Sequence, residues 1–261
     1  MIIVKHELKQ GRTAFWIWAG SIAALLGICI FLFPEMKSEM DTVSDMFASM
    51  GAFTAAFGMD KLNFGTLIGY YAIECGNVLG LGGAFFAAIC AVDILSKEER
   101  VHTADYLLSH PVSRVRIMTE KLASVALRIL VMNGLIYLIS IGSMAAVGES
   151  VPWKEVNLLH LAYFLLQLEI AGICFGLSAF LTRGSVGIGL GLAALLYFMN
   201  LIANITKSAE FLKYFTPFGF CDGATIVDEG KLDAGILAAG LALGALGILA
   251  AYLKYPKKDI R

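Results

Sequence analysis

Three ionisable side chains stand inside, or at the margin of, long apolar runs, and chemistry would start from them. Glu169 lies near the middle of one run, Arg128 about two helical turns into another, and Glu74 near the outer end of a third. A charge at the centre of a spanning helix costs about 2.5–3.5 kcal/mol on insertion scales, so each needs a partner or a polar cavity. Two arrangements answer that need. Arg128 pairs with Glu169, with Glu74 as the alternative partner, or one of these groups faces a polar path through the protein. Asn200 and Asn204, in the fifth run, read as hydrogen-bonding residues between helices rather than ligands.

Other chemistries find little support. His6-Glu7 is followed by Leu-Lys-Gln-Gly, so the HExxH signature of zinc proteases is absent. Glu98-Glu99-Arg100 brings to mind the EExxxR motif of prenyl-protein-type membrane proteases, but its spacing differs and it lies outside an apolar run. Four histidines, none grouped, offer no metal site. Five cysteines are an odd number without metal spacing, and four of them sit in apolar runs as small hydrophobes. Cys221 lies in a polar connection and is the one expected to react. No GxxxxGK[ST] loop is present, and the glycine-rich 184–191 is embedded in an apolar run without GxGxxG order. No basic patch interleaved with aromatics suggests a nucleic-acid partner.

The elements that must position these residues are set by composition. The 261 residues are 58% hydrophobic and 16% charged, against roughly 25% charged in a soluble domain. An integral membrane protein follows, embedded in a lipid bilayer. Six runs reach spanning length, approximately 14–34, 67–94, 119–147, 158–182, 184–205 and 234–254. The first is too long for the apolar core of a cleaved signal. Helices are the expected spanning elements, because ten-residue stretches of alternating polarity are missing.

Lys and Arg are distributed unevenly between the two sides. The N-terminus, 95–121, Arg183 and the tail carry thirteen, the other connections six, and Arg128 is inside a run. The positive-inside rule then puts both termini and 95–121 in the cytoplasm. Lys5, Lys9, Arg12, Trp16 and Trp18 suit a short amphipathic elbow on that surface. In the 206–233 connection, Phe211–Phe220 reads either as a short helix or re-entrant turn, or as an aromatic belt at the headgroups. Gly172–Gly176, Gly187–Gly191 and Gly240–Gly244 have the small-xxx-small spacing of close helix contacts.

Between the second and third runs lies KEERVHTADYLLSHPVSRVRIMTEK, from Lys97 to Lys121. Ser96 and Glu99 fit a capping box, and Val101, Ala104, Leu107 and Leu108 form an apolar stripe. Pro111 ends that helix, and Ser113 caps a second one that enters the membrane. A solvated interfacial helix and a docking element for a cytoplasmic partner both fit this pattern.

The string resembles the segment between the second and third spans of ABC type-2 exporter permeases. A Glu-rich start, a Leu-Leu-Ser/Thr-x-Pro-Val-Ser-Arg centre and a downstream Lys are matched by Glu98, Glu99, Leu107, Leu108, Ser109, Pro111, Val112, Ser113, Arg114 and Lys121. The family often has Gly-Thr ahead of the Leu pair, where this chain has His102-Thr103. The elbow, the six spans and the aromatic, proline-containing last external loop extend the resemblance along nearly the whole chain.

The resemblance implies an all-α membrane protein, a single permease domain over 1–261 with an elbow helix and a cytoplasmic coupling helix. It implies a dimer, with a second copy or a related permease, and a separate ABC ATPase subunit that binds ATP and magnesium and docks on Glu98, Glu99 and Leu107–Arg114. The chain itself would bind no cofactor and have no enzymatic activity. Its place would be the plasma membrane of a prokaryotic cell. Family members export drugs, antimicrobial peptides, ions and polysaccharides; the apolar, aromatic spans lean toward an amphipathic drug or peptide. The alternatives are an ATP-independent secondary transporter or channel, which would want more intramembrane charges or broken helices in two halves, and an intramembrane protease.

Overall fold

The computed structural model of the protein describes residues 2–39, 50–57, 59, 61–104, 112–182 and 184–258. In chain order its helices are α1 (Ile2–Gln10), α2 (Arg12–Ser38), α3 (Ala52–Ala56), α4 (Leu67–Ala91), α5 (Lys97–Arg100), α6 (Arg114–Val147), α7 (Trp153–Phe180), α8 (Val186–Ile205), α9 (Gly223–Glu229) and α10 (Ala234–Lys254). No strand occurs among the described residues. Six of the helices, α2, α4, α6, α7, α8 and α10, are long and apolar enough to cross a membrane. Helix is the form that satisfies every backbone polar group within one segment when lipid offers no hydrogen bonds.

The ends follow side-chain chemistry. Ser113 Oγ accepts the Arg116 amide at 3.3 Å, so α6 begins about a turn before the apolar run that marks it in the sequence. Asp233 caps α10 through the amides of Gly235 and Ile236, and Thr66 caps α4 through Gly69. Gly148 closes α6 at φ 81, the left-handed cap that glycine adopts without strain. Pro34 does not end α2, which runs on to Ser38. There Lys37 pairs with Glu149, just past α6, at 3.0 Å.

Inside α4 the turn widens into a π-helix over Gly76–Leu81, which the sequence pattern does not reveal. Tyr163 of α7 presses against it: a Cβ on Gly76 would lie 3.0 Å from the Tyr163 hydroxyl. Between α7 and α10 the backbones themselves touch. A Cβ on Gly172 would come within 2.7 Å of the Gly244 carbonyl oxygen, and one on Gly176 within 2.6 Å of that of Gly247. Two of the three glycine pairs thus form one contact. Gly187 and Gly191 do not share in such a contact; nothing lies within 4 Å of a Cβ at Gly191.

The apolar core joins α2, α4, α6 and α7 through fully buried side chains such as Leu26, Phe33, Leu79, Ile129 and Phe175. Leu25 and Phe31 of α2, Leu195 and Phe198 of α8, and Leu246 and Leu253 of α10 point outward, as lipid-facing residues do. One end of the bundle gathers α1, α5, the start of α6, Leu181, Gly184 and the final turn Tyr255–Lys257. It is held by Arg100 on the Gly184 carbonyl (3.3 Å), Arg114 on that of Lys258 (2.6 Å) and Lys258 on that of Leu181 (2.6 Å).

The connection after α8 is neither a simple belt nor a bare loop. It makes 3-10 turns at Lys207–Tyr214 and Gly219–Cys221. Phe211, Tyr214 and Phe215 are exposed, whereas Phe218, Phe220 and Cys221 are buried among the helices. Thr216 Oγ1 anchors the change of direction on the Leu196 carbonyl at 2.8 Å. Asn204 does bond across elements, to the Ala56 carbonyl at 3.2 Å.

Candidate functional site

On α1, Val4 and Glu7 share one face at i and i+3 spacing and are buried, while Lys5 and Lys9 stay exposed. Glu7 is 1% exposed, so its charge must be matched inside the protein. Lys97 of α5 donates to Glu7 Oε2, and Lys121 Nζ of α6 lies 3.7 Å from Oε1. Arg128 donates to the Glu7 backbone carbonyl. Gly11 makes that reach feasible, because a Cβ there would fall 2.6 Å from the guanidinium carbon.

Lys121 is fully buried and is held by Glu98 Oε1 and the Ile94 carbonyl, each at 2.5 Å. Glu120 turns the other way. Its Oε2 accepts the Ile3 amide at 3.0 Å, satisfying a donor at the start of α1, and its Oε1 accepts from Arg116 at 3.2 Å. Glu99 Oε1 accepts from Lys258 Nζ at 2.7 Å. Arg100 pairs with Asp93 at 3.0 Å. Segments remote in sequence (α1, α5, α6 and the residues after α10) therefore meet in one ion-paired joint.

Glu98 and Glu99, expected to belong to the docking segment, are both engaged in ion pairs within the chain. Glu99 supplies the counter-charge of the buried Lys258, and Glu98 joins Glu7 in matching the buried Lys121. Arg114 is likewise occupied, donating to the carbonyls of Pro256 (3.2 Å) and Lys258. Val112 is half-buried and Ser113 is exposed at its cap. Leu107, Leu108, Ser109 and Pro111 lie outside the described residues. Among the described residues of this connection, Val101, His102 and Thr103 are exposed.

The helix expected to run on from Ser96 is only α5, four residues long, and Ser96 makes no side-chain cap. The chain instead turns at His102, whose φ is 56. That is the left-handed region that glycine enters freely and a β-carbon disfavours.

The expected pairing of Arg128 with Glu169 or Glu74 is not formed. Arg128 is drawn to the polar end by Glu7. Glu74 Oε2 accepts from the Cys29 thiol at 3.6 Å. Glu169 packs against Gly240, and neither of its oxygens has a hydrogen-bond partner among the described residues. Cys221 is not exposed for reaction. It is buried beside the Ala162 carbonyl, and burial pushes its thiol well above the ordinary range.

Sequence reasoning passed over Glu7, Glu120 and Lys258 as ion-pair partners. Glu7, a lone acid among the basic residues of α1 and on the same face as Val4, was the available signal. Deeper in the bundle, Asn133 donates to Gln167 Oε1 at 2.6 Å, and the Tyr71 hydroxyl meets His160 Nε2 at 2.8 Å.

A six-span helical membrane protein with a charged, interlocked end is what these features define. The family model described as ABC-2 family transporter protein matches residues 1–224, from α1 into α9. The chain belongs to that family and is a permease component of an ABC-type transporter. Membership implies partnership with an ABC ATPase subunit. A search of curated proteins found no significant match.

Proposed function

We propose that the chain is the membrane-spanning subunit of an ATP-driven exporter, moving an amphipathic substrate outward as a separate ATPase subunit hydrolyses ATP. On this reading residues 1–261 act as one permease domain and pair with a second copy or a related permease. Both termini face the cytoplasm of a prokaryotic cell, across its plasma membrane. ATP and magnesium belong to the partner. The helix α1 is the elbow, and the chain from α5 to the start of α6 is the coupling region.

The ion-paired joint carries this reading. A force applied at 101–113 would reach α1, α6 and the tail together, because Glu98–Lys121, Glu99–Lys258 and Glu7–Lys97 tie them to α5. Breaking such a buried pair costs about 3–5 kcal/mol, so the unit moves before it opens. Glu98, Glu99 and Arg114 then position the coupling region, and Leu107, Leu108, Ser109, Pro111 and Val112 supply the contact itself.

The test is Leu108→Ala in proteoliposomes with the ATPase subunit. Hydrolysis should persist while transport per ATP falls. Normal transport by this variant would remove Leu108 from the contact.

A further inference from the structure

Glu169 lies midway along α7, is 2% exposed, and has two carboxylate oxygens without hydrogen-bond partners among the described residues. It faces α10 at Gly240, where a Cβ would overlap its Oε2, and at Gly244, where a Cβ would lie 3.1 Å from its Cα. The sequence of α10 contains only Tyr252 and Lys254 as ionisable residues, about three turns beyond Gly240. From the Gly219–Cys221 turn the titratable neighbour is the Cys221 thiol, directed at the carbonyls of Ala162 and Pro217. Charged and polar groups on the other packed elements are engaged elsewhere: Arg128 of α6 with Glu7, Glu74 of α4 with Cys29, Tyr71 of α4 with His160, and Asp222 with the start of α9.

An ionised carboxylate stripped of water and left without a partner costs several kcal/mol, whereas the neutral acid is far cheaper to bury. The helix opposite offers space and no donor. We infer that Glu169 is a proton-binding site built into the α7–α10 contact. With the proton bound, the neutral acid packs on Gly240. When the helices part, water reaches the carboxyl, the O–H bond breaks, the proton passes to water and the electron pair stays on the carboxylate. Backbone meets backbone at Gly172–Gly244 and Gly176–Gly247, and one turn from the latter the Phe175 ring of α7 lies beside Tyr252 of α10, so parting of the helices would have to undo both contacts.

Infrared difference spectroscopy of the purified chain in lipid vesicles at neutral pH tests this, comparing wild type with Glu169→Gln. The expected difference is the carbonyl stretch of a protonated carboxylic acid, shifted by deuterium exchange and lost in the variant. A difference containing only carboxylate bands would overturn the inference. Gly240→Ala, which displaces the carboxyl from its recess, should convert the acid band to carboxylate bands. An unchanged acid band in that variant would break the link between the contact and the proton. Should the Gln variant not fold, loss of acid intensity in Gly240→Ala relative to wild type decides the matter by the same criterion. None of these measurements needs an ATPase, so their failure would leave the transporter reading untouched.

Discussion

Lys258 Nζ and Glu99 Oε1 lie 2.7 Å apart, both buried, and join the residue after the last helical turn to α5 across 159 positions of sequence. The pair closes the charged end of the bundle. It also explains why Glu99 does not reach the surface.

Removing one member should strand a buried charge. Glu99→Gln or Lys258→Met alone is expected to cost about 3–5 kcal/mol, and the double variant much less than the sum. Thermal unfolding in lipid nanodiscs, arranged as a double-mutant cycle, measures this. The exposed Arg116, paired with Glu120 one turn away, gives the contrast: Arg116→Ala should cost roughly 0.3–0.5 kcal/mol from the lost pair.

His102 occupies a backbone conformation that costs a side-chain-bearing residue about 1–2 kcal/mol, while glycine's extra freedom in the unfolded chain takes back about 0.4–1 kcal/mol. His102→Gly should therefore stabilise the protein by about 0.5–1 kcal/mol. A raised midpoint of thermal unfolding is the expected sign.

Glycines of the same spacing should respond differently. Gly172→Ala pushes a methyl group into the backbone of α10 and should cost about 1–3 kcal/mol through overpacking. Gly191→Ala enters open space and should be neutral or stabilising, since alanine is the better helix former by about 1 kcal/mol. Unfolding midpoints of the two variants, measured side by side, distinguish them.

Thiol labelling reads out burial and sidedness together. Cys221 should resist a membrane-impermeant maleimide at neutral pH, because it is buried and its thiol is kept protonated, and the thiolate is the nucleophile. Val101→Cys, at a position 57% exposed, should label rapidly in inside-out vesicles and slowly in right-side-out ones. Equal labelling from both sides would contradict the proposed orientation.

Local features of this chain were legible in its sequence. Apolar runs gave the six spanning helices to within a few residues, Ser113 marked the true start of α6, and the spacing of Gly172–Gly176 and Gly240–Gly244 indicated a close contact. Each of these depends on neighbours within a turn or two. The ion pairs did not show, because Glu7 and Lys97, or Glu99 and Lys258, meet only after the helices have packed. Arg128 and Glu169 looked like partners because both sit in apolar runs. Depth separates them: Arg128 reaches the polar end through the gap at Gly11, while Glu169 stays against Gly240. A helix does begin after Ser96, but without the side-chain cap, and it ends at Arg100 ahead of the turn at His102, a backbone choice that side-chain pattern does not encode.

Transport by the chain reconstituted in proteoliposomes, with and without its ATPase subunit, tests the central claim most directly. Export that appears only with the ATPase and hydrolysable ATP is the predicted result. Export that continues at the same rate without any ATPase subunit would contradict it.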